Sequence, residues 1–547
     1  MEIYKKNFGV FLRHKLFAIA IPAYTLYQIA IIITEYLEIY GQGYPVLEYT
    51  RRILMLIPQI FVLYLIITYE YFSEANRNNI EETIEATGRG YSNSHKRAMF
   101  MVMFSVLFGN YMVFALFDVF FTKYDLFLIN VQDAGDQGLI FILSCLFVNV
   151  FLIGSIAILL GALIAKIKRR ITAYATIMTV VFLTSYLLSR VATLLQILTD
   201  YSVNLFEFLK IFDIMPKGLI FTINSAFGFS LVPSRVCLIL FWNALLLSCL
   251  IMLYSKRKKT LKIILCLVAC IVTLWVHSLP ASDIDMTLNS KGSAMADQHY
   301  YEIAEYRMKE EAPDFSVKRY KMELDTRRLL KAKVSMTVTE PLEEYKFTFS
   351  HSYRISDVHD QNGTPLQYQH YKDELTIYAA DKDITEITIQ YEGANEAFYT
   401  NIQGINLPGG FPYYPVPGRK RITEDGFNMN SLLLKEKAEF DLKIKSGKKV
   451  YTNLEEIEKN HYAGSSTGLS IFRGLYTEYH DKGISIVYPY LEGWRQSNLD
   501  AVADVVKELG YTECKVLVSP NMNRRFYTIG EDQIVSTGYF ESVDDLQ

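Results

Sequence analysis

Lys256–Pro280 reads KRKKTLKIILCLVACIVTLWVHSLP: a basic cluster, a nearly uninterrupted apolar run from Ile263 to Leu279, and a proline. A run of that length crosses the hydrocarbon core of a bilayer when it stands untilted. Basic residues hold their end of such a span in the cytoplasm, because translocated loops avoid Lys and Arg. The stretch is also a boundary. Before it the chain consists of long apolar blocks with few charges, and after it apolar and charged residues alternate over short distances. This reading divides the protein into a lipid-facing half and a water-facing half, the second lying outside.

Working back from Ile263, a window of about 19 residues on a transfer scale finds six core spans. They are Leu16–Leu37, Ile53–Phe72, Met99–Phe121, Leu139–Ile167, Ile171–Leu198 and Val236–Tyr254. The first follows Lys5, Lys6, Arg13 and Lys15 as a signal peptide would, but it is long and lacks a small-residue cleavage site, so it reads as a retained helix. Three connections are basic: Arg77–Arg97, Lys166–Arg170 (KIKRR) and Lys256–Lys262. All three fall on the side of the N-terminus, which places that side in the cytoplasm; only Arg51 and Arg52, at a span boundary, argue otherwise. Tyr201–Arg235 is apolar but punctuated by Asp213, Pro216, Lys217, Gly218, Asn224 and Pro233. Two readings stand for it: an interfacial amphipathic loop, or a re-entrant pair of half-helices lining a path.

Composition narrows the function. With 547 residues, 51% of them hydrophobic, and a net charge of -3, the chain is too apolar for one soluble fold, and its basic residues form no single patch for nucleic acid. Cys145, Cys237, Cys249, Cys266 and Cys270 lie in apolar blocks without metal-ligand spacing, leaving Cys514 alone in the second half with no disulfide partner there. No phosphate-binding GxxxxGK[ST] loop occurs, Gly447-Lys448 lacking both the earlier glycine and a following Ser or Thr. Inside the spans, Arg190 is the deepest charge, with Asn110, Asn149 and Asn243 as polar companions on a possible translocation path. Glu35 and Asp118 fall near the expected outer ends of their spans.

Ser73–Ala98, SEANRNNIEETIEATGRGYSNSHKRA, follows the second span. It reads as a short helix with Ile80 and Ile84 on one face and Glu81, Glu82 and Glu85 on the others, ended by Gly88 and Gly90. The stretch resembles the permease subunits of type-2 ABC exporters, which carry here a leading acid, a Gly-Thr-Leu-Glu-like turn, then Ala-Thr-Pro and a basic residue. Glu74, Glu82, Ala86-Thr87 and Arg89 match; Asn79 stands for the glycine and Gly88 for the proline. The resemblance covers about Met1–Tyr254 and implies a coupling helix, carried by Glu74, Arg77, Ile80, Glu82, Ile84, Thr87 and Arg89, that takes up motion from a separate ATPase subunit. It also implies a second permease copy or paralogue, since six core spans make half a pathway.

After a polar linker the pattern changes to period two: Tyr320, Met322 and Leu324; Leu330 through Val338; Tyr345, Phe347 and Phe349; Leu375 and Ile377; Ile387, Ile389 and Tyr391. Strands with one buried face explain this, and Asn362-Gly363 supplies a turn. A helix is expected at Asn498–Leu509 and a strand at Lys515–Ser519. The strands KMELD, KVSMTV and ITIQYEG, followed by FPYYPVPG at Phe411–Gly418, resemble the N-terminal saddle-shaped domain of aminopeptidase-N-like zinc metallopeptidases. That family's chemistry needs HExxH, a downstream Glu ligand and a Gly-x-Met-Glu-Asn loop, and none is in this sequence. His351, His359 and His370 lie in expected strands and turns, and His461 and His480 stand alone. Gly464-Ser465-Ser466 reads as a polar turn, not a hydrolase elbow. No catalytic, cofactor or metal residue is assigned.

The expected architecture is a membrane all-α bundle with six core transmembrane helices plus a seventh, followed by a mainly-β extracytoplasmic domain. Its parts are residues 1–254 (bundle), 255–281 (basic loop and seventh span), 282–314 (linker), 315–495 (β-rich domain) and 496–547 (α/β tail). The expected function is that of the permease subunit of an ATP-driven exporter for a peptide or other amphipathic compound, with membrane lipid around it and a non-catalytic external domain. The alternative is a membrane-tethered binding or sensory protein, or the non-catalytic part of a metallopeptidase.

Overall fold

In a computed structural model of the chain, helices overlap the expected apolar spans, though not all with the expected bounds. Apart from short interruptions, the structure describes residues 2–39, 53–78, 92–128, 142–185, 233–254, 259–278 and 309–543, with scattered positions between 186 and 232. The chain forms two units, one of Met1–Ile223 and Leu231–Leu279, the other of Asn224–Ser230 and Pro280–Gln547.

The first unit contains α1 (Glu2–Arg13), α2 (Lys15–Ile39), α3 (Ile57–Arg77), α4 (Ser92–Leu128), a helical run Ile142–Ile164 that ends in α5 (Ile153–Ile164), α6 (Arg170–Thr184), α7 (Pro233–Tyr254) and α8 (Lys259–Ser278). Three are long and apolar enough to cross a membrane: Ser94–Phe121, Ile142–Ile164 and Arg235–Tyr254. Pro58 sits in the first turn of α3, where its missing N–H is no loss. α3 and α5 meet at Gly161, where a Cβ would come within 2.7 Å of the Leu65 carbonyl oxygen and 3.1 Å of the Tyr69 nitrogen. Only a glycine lets the two backbones approach so closely.

Three boundaries differ from the sequence reading. α3 continues past Phe72 to Arg77, so Glu74 and Arg77 belong to a helix end and not to the connection after it. α6 ends at Thr184, where Ser185 turns extended (φ -91°, ψ 162°), so the expected fifth span to Leu198 is not one continuous helix. α1 precedes the first span as a separate helix: Asn7 and Phe11 are buried while Val10 and Leu12 are exposed, and Phe11 packs against Phe17 and Tyr71.

The second unit is mainly β. A seven-stranded sheet runs in the order β12 (Glu455–Glu458), β13 (His461–Ser466), β10 (Ala438–Lys445), β1 (Val317–Asp325), β2 (Leu330–Val338), β7 (Glu386–Gly393), β4 (Tyr353–Asp360). A four-stranded sheet joins β5 (Gln367–Tyr371), β6 (Glu374–Tyr378), β3 (Glu344–Thr348) and β9 (Val416–Pro417), and a small one joins β11 (Tyr451–Thr452), β14 (Ile471–Arg473) and β8 (Ile405–Leu407). Their inward side chains share one core, in which Tyr320 stacks on Phe440 at 5.1 Å. Three buried tyrosines bond backbone carbonyls: Tyr320 donates to Pro415 (3.0 Å), Tyr391 to Tyr413 (2.6 Å) and Tyr413 to Leu469 (2.8 Å). The Asn362-Gly363 turn is formed, with Gly363 at φ +81°.

The last sheet orders β15 (Tyr476–Asp481), β16 (Ile484–Pro489), β17 (Cys514–Val518), β19 (Gln533–Ser536) and β18 (Tyr527–Ile529), so strands from both sides of residue 495 share it. The expected helix is α9 (Gln496–Glu508), which buries Leu499, Val502, Ala503, Val505 and Val506.

Candidate functional site

In the helical unit, a polar seam gathers around a break in helical register. Phe147–Leu152 (FVNVFL) is a π-helix inside the run Ile142–Ile164. A π turn inserts one residue and frees carbonyls from their usual partners, and such turns concentrate at functional sites. Here side chains take those carbonyls. Asn149, buried at 2% exposure, donates its Nδ2 to the Cys145 oxygen at 2.8 Å. The Leu152 oxygen accepts from Ser155 Oγ (2.7 Å) and from Asn243 Nδ2 (3.1 Å), and Ser155 Oγ also bonds Asn243 Oδ1.

The seam carries charge. Arg235, in the first turn of α7, donates from Nη2 to Asn149 Oδ1 at 2.7 Å and to the Ile214 oxygen at 2.9 Å. Asp118 on α4 is fully buried. One turn is also tied to α7 from outside the regular helices: Trp242 Nε1 donates to the Ile211 oxygen at 2.6 Å, in a 3-10 turn spanning Lys210–Phe212. Irregular backbone of this kind survives in apolar surroundings only where protein groups satisfy it.

The structure therefore joins Asn149 and Asn243, as the sequence reading grouped them, and separates Asn110, which lies with Thr25 instead (Thr25 Oγ1 to Asn110 Oδ1, 3.3 Å). Arg190 lies outside the described residues. Arg235 was missed because it sits at the end of a polar-punctuated connection, where a basic residue reads as a boundary mark. Asp118, near the end of the apolar segment Ser94–Phe121, is buried within the helical unit.

At the far end of α3, Glu70 is the centre of a clamp. It accepts from Arg170 Nη2 (2.9 Å), Tyr174 hydroxyl (2.6 Å) and Arg77 Nη2 (3.1 Å). Asn76 Nδ2 caps the end of α5 through the Ala165 oxygen at 2.9 Å. Of the expected coupling residues, Glu74 and Arg77 occupy this helix end, whereas Ile80, Glu82, Ile84, Thr87 and Arg89 lie outside the described residues.

The second unit offers no comparable constellation among its described residues. No group of three His, Cys, Asp or Glu is placed to hold a metal there. His461 does not stand alone: its Nε2 lies 2.8 Å from Asp441 Oδ1. Burial alone would raise the Asp441 pKa, but the hydrogen bond and charge of His461, with Arg319 and Lys321 nearby, hold it below the usual value. His351 Nδ1 lies 2.9 Å from the buried Asp373. Burial lowers the pKa of His370, against a bond to the Phe349 oxygen. Gly464–Gly468 spells G-x-S-x-G, yet Ser466 ends strand β13 and its hydroxyl donates to the Gly468 oxygen at 2.8 Å. The expected polar turn is thus strand, and the serine is committed to its own loop.

No family model matches the chain, and no curated protein matches it. Among solved structures it is similar to yeast LTA4 hydrolase in complex with bestatin, at 13% identity and TM-score 0.30, over 41% of this chain and 40% of that one. An M1 zinc metallopeptidase from Deinococcus radiodurans gives 11% identity and TM-score 0.27 over 40% of this chain and 60% of that one. Aminopeptidase A from Legionella pneumophila, solved with aspartic acid, gives 12% and 0.29 over 43% and 31%. The chain thus spans 40% and 60% of the first two of these proteins.

Proposed function

We propose that this chain is the membrane-spanning subunit of an ATP-driven exporter, with seven spans, a cytoplasmic N-terminus, ATP hydrolysis in a separate polypeptide, and the β unit outside as a non-catalytic domain. The observation that carries this reading is the Glu70 clamp. The acidic stretch after α3 resembles an ATPase-docking element, and the helix that leads into it is fastened to the start of α6 by two bonds to Glu70, from Arg170 and Tyr174, and to the end of α5 by the Asn76 amide cap. Force applied after Asn78 would thereby reach α5, whose π-helix is bonded to α7 through Asn243 and Arg235. Such an arrangement suits two packed states of one bundle better than a passive anchor.

Affinity purification of the full chain from its native membrane in mild detergent tests this. A nucleotide-hydrolysing protein is expected to co-purify with the natural sequence and to be lost with Glu82→Lys. A folded, fully extracted chain that brings down no such protein would overturn the exporter reading in favour of a membrane-tethered binding protein.

A further inference from the structure

Two lysines from different helices share the ring of Tyr254, the last residue of α7. Lys96 Nζ, near the start of α4, lies 4.3 Å from the ring centre, and Lys166 Nζ, in the turn after α5, lies 4.9 Å from it. Lys166 also donates to Asn76 Oδ1 at 3.3 Å, so the ends of α3, α4, α5 and α7 meet at one place. The ring face attracts each ammonium group, but two like charges held to one ring repel each other. Further cations stand close by: Arg97, next to Lys96, and Lys168 and Arg169, in the turn with Lys166, are all exposed. Of the acids at these helix ends, Glu70 is taken by Arg170 and Arg77, which leaves Glu74, exposed one turn further along α3. Among the described residues, positive charge is therefore in excess here, and an anion would relieve the repulsion.

The surface next to the cations says which anion. Ile171, the second residue of α6, is exposed, and so are Met252 and Leu253, just before Tyr254. Ammonium groups at helix ends beside an exposed apolar surface match the two parts of a phospholipid. Its phosphate accepts charge-assisted hydrogen bonds, and its acyl chains cover the apolar side chains. A soluble anion would use the first part only.

We propose that Lys96, Lys166 and Tyr254, with Lys168 and Arg169 beside them, bind the headgroup of an anionic phospholipid whose chains lie against the exposed apolar side chains of the neighbouring helices. The inference goes beyond the exporter reading and requires only that the helical unit lies in a bilayer.

The test uses the full chain reconstituted in phosphatidylcholine, with spin-labelled phosphatidylglycerol or spin-labelled phosphatidylcholine added as the probe and the immobilised share of each read from its spectrum. The anionic probe is expected to associate about fivefold more strongly than the zwitterionic one, the contribution of about one lysine at a membrane surface. Lys96→Gln with Lys166→Gln is expected to bring that ratio to about one, while Lys5→Gln with Lys6→Gln, which removes the same charge from α1, leaves it unchanged. Melting curves of both variants control for folding, and the ratio for the natural chain is a test that no variant can spoil. A ratio near one for the natural chain would overturn the site and leave its cations to a protein partner such as the ATPase. An equal loss in the α1 variant would overturn it as diffuse attraction, and displacement of the anionic probe by millimolar inorganic phosphate would overturn it in favour of a soluble anion. Because no ATPase enters the measurement, none of these results bears on the exporter reading.

Discussion

β2 and α6 are both rich in apolar residues, and the fold treats them in opposite ways. In β2 the five apolar side chains Leu330, Ala332, Val334, Met336 and Val338 all point into the core, while the residues between them face out. In α6 only Ala173 and Ile177 are buried; Ile171 is 87% exposed and Met178 67%. Under the proposed membrane placement, the difference lies in the solvent. A water-facing strand has nowhere else to put an apolar side chain, whereas a helix in lipid gains nothing by burying one, so close packing and polar bonds decide which face turns inward. Apolarity therefore reports the core of the β unit, and polarity and small size report the interior of the helical unit.

The strongest way to break this contrast is a matched pair of truncations. Phe440→Ala, which removes the ring stacked on Tyr320, should cost about 3–5 kcal/mol, while Met178→Ala, on the exposed side of α6, should cost less than about 0.5 kcal/mol in lipid or detergent. Limited proteolysis of the full chain along a denaturant series would compare them. Equal losses would mean that α6 is buried by something other than lipid.

A smaller effect sharpens the other half of the contrast. Gly161→Ala places a methyl group 2.7 Å from the Leu65 oxygen, on rigid backbone, and is expected to destabilise the α3–α5 pair by about 1–3 kcal/mol. At Gly109 a Cβ meets nothing within 4 Å, so Gly109→Ala should leave stability unchanged or raise it by up to about 1 kcal/mol through helix propensity. Melting curves in one detergent would read both signs. A destabilising Gly109→Ala would show that α4 packs against a further surface.

These contrasts also explain what could be read in advance. The alternation at Tyr320–Leu324 and Leu330–Val338 placed both strands and their buried faces, because period two admits one register per face. The apolar blocks placed helices, but not their ends, since the fifth stops at Thr184 where hydropathy runs on to Leu198. The seam did not follow, since a π turn leaves no signature in FVNVFL, and Arg235 meets Asn149 only once α7 and the helical run Ile142–Ile164 are packed. The Glu70 clamp was hidden inside a span that hydropathy alone treats as uniform. Glu82 to Arg89 are legible only through their resemblance to a docking element, because a short acidic segment has no core of its own to settle its structure.

The smallest expected effect belongs to the surface of the β unit, where a charge pair should matter least. Asp441 is bonded to His461 at 2.8 Å and to Arg319 at 3.2 Å. Because its pKa is lower folded than unfolded, the folded state binds its proton less readily. Its contribution is thus present above the ordinary aspartate range, near pH 4, and is lost as the pH falls through the folded value. The pair is partly open to solvent, which limits its worth to about 1 kcal/mol or less. Asp441→Asn should therefore cost no more than that at neutral pH and should flatten the decline of stability below about pH 4. Unfolding midpoints of the full chain measured from pH 7 to pH 3 would show it. A loss at neutral pH several times larger would mean that the β10–β13 edge, where Asp441 faces His461, is held by charge and not by the apolar face it shares with β1.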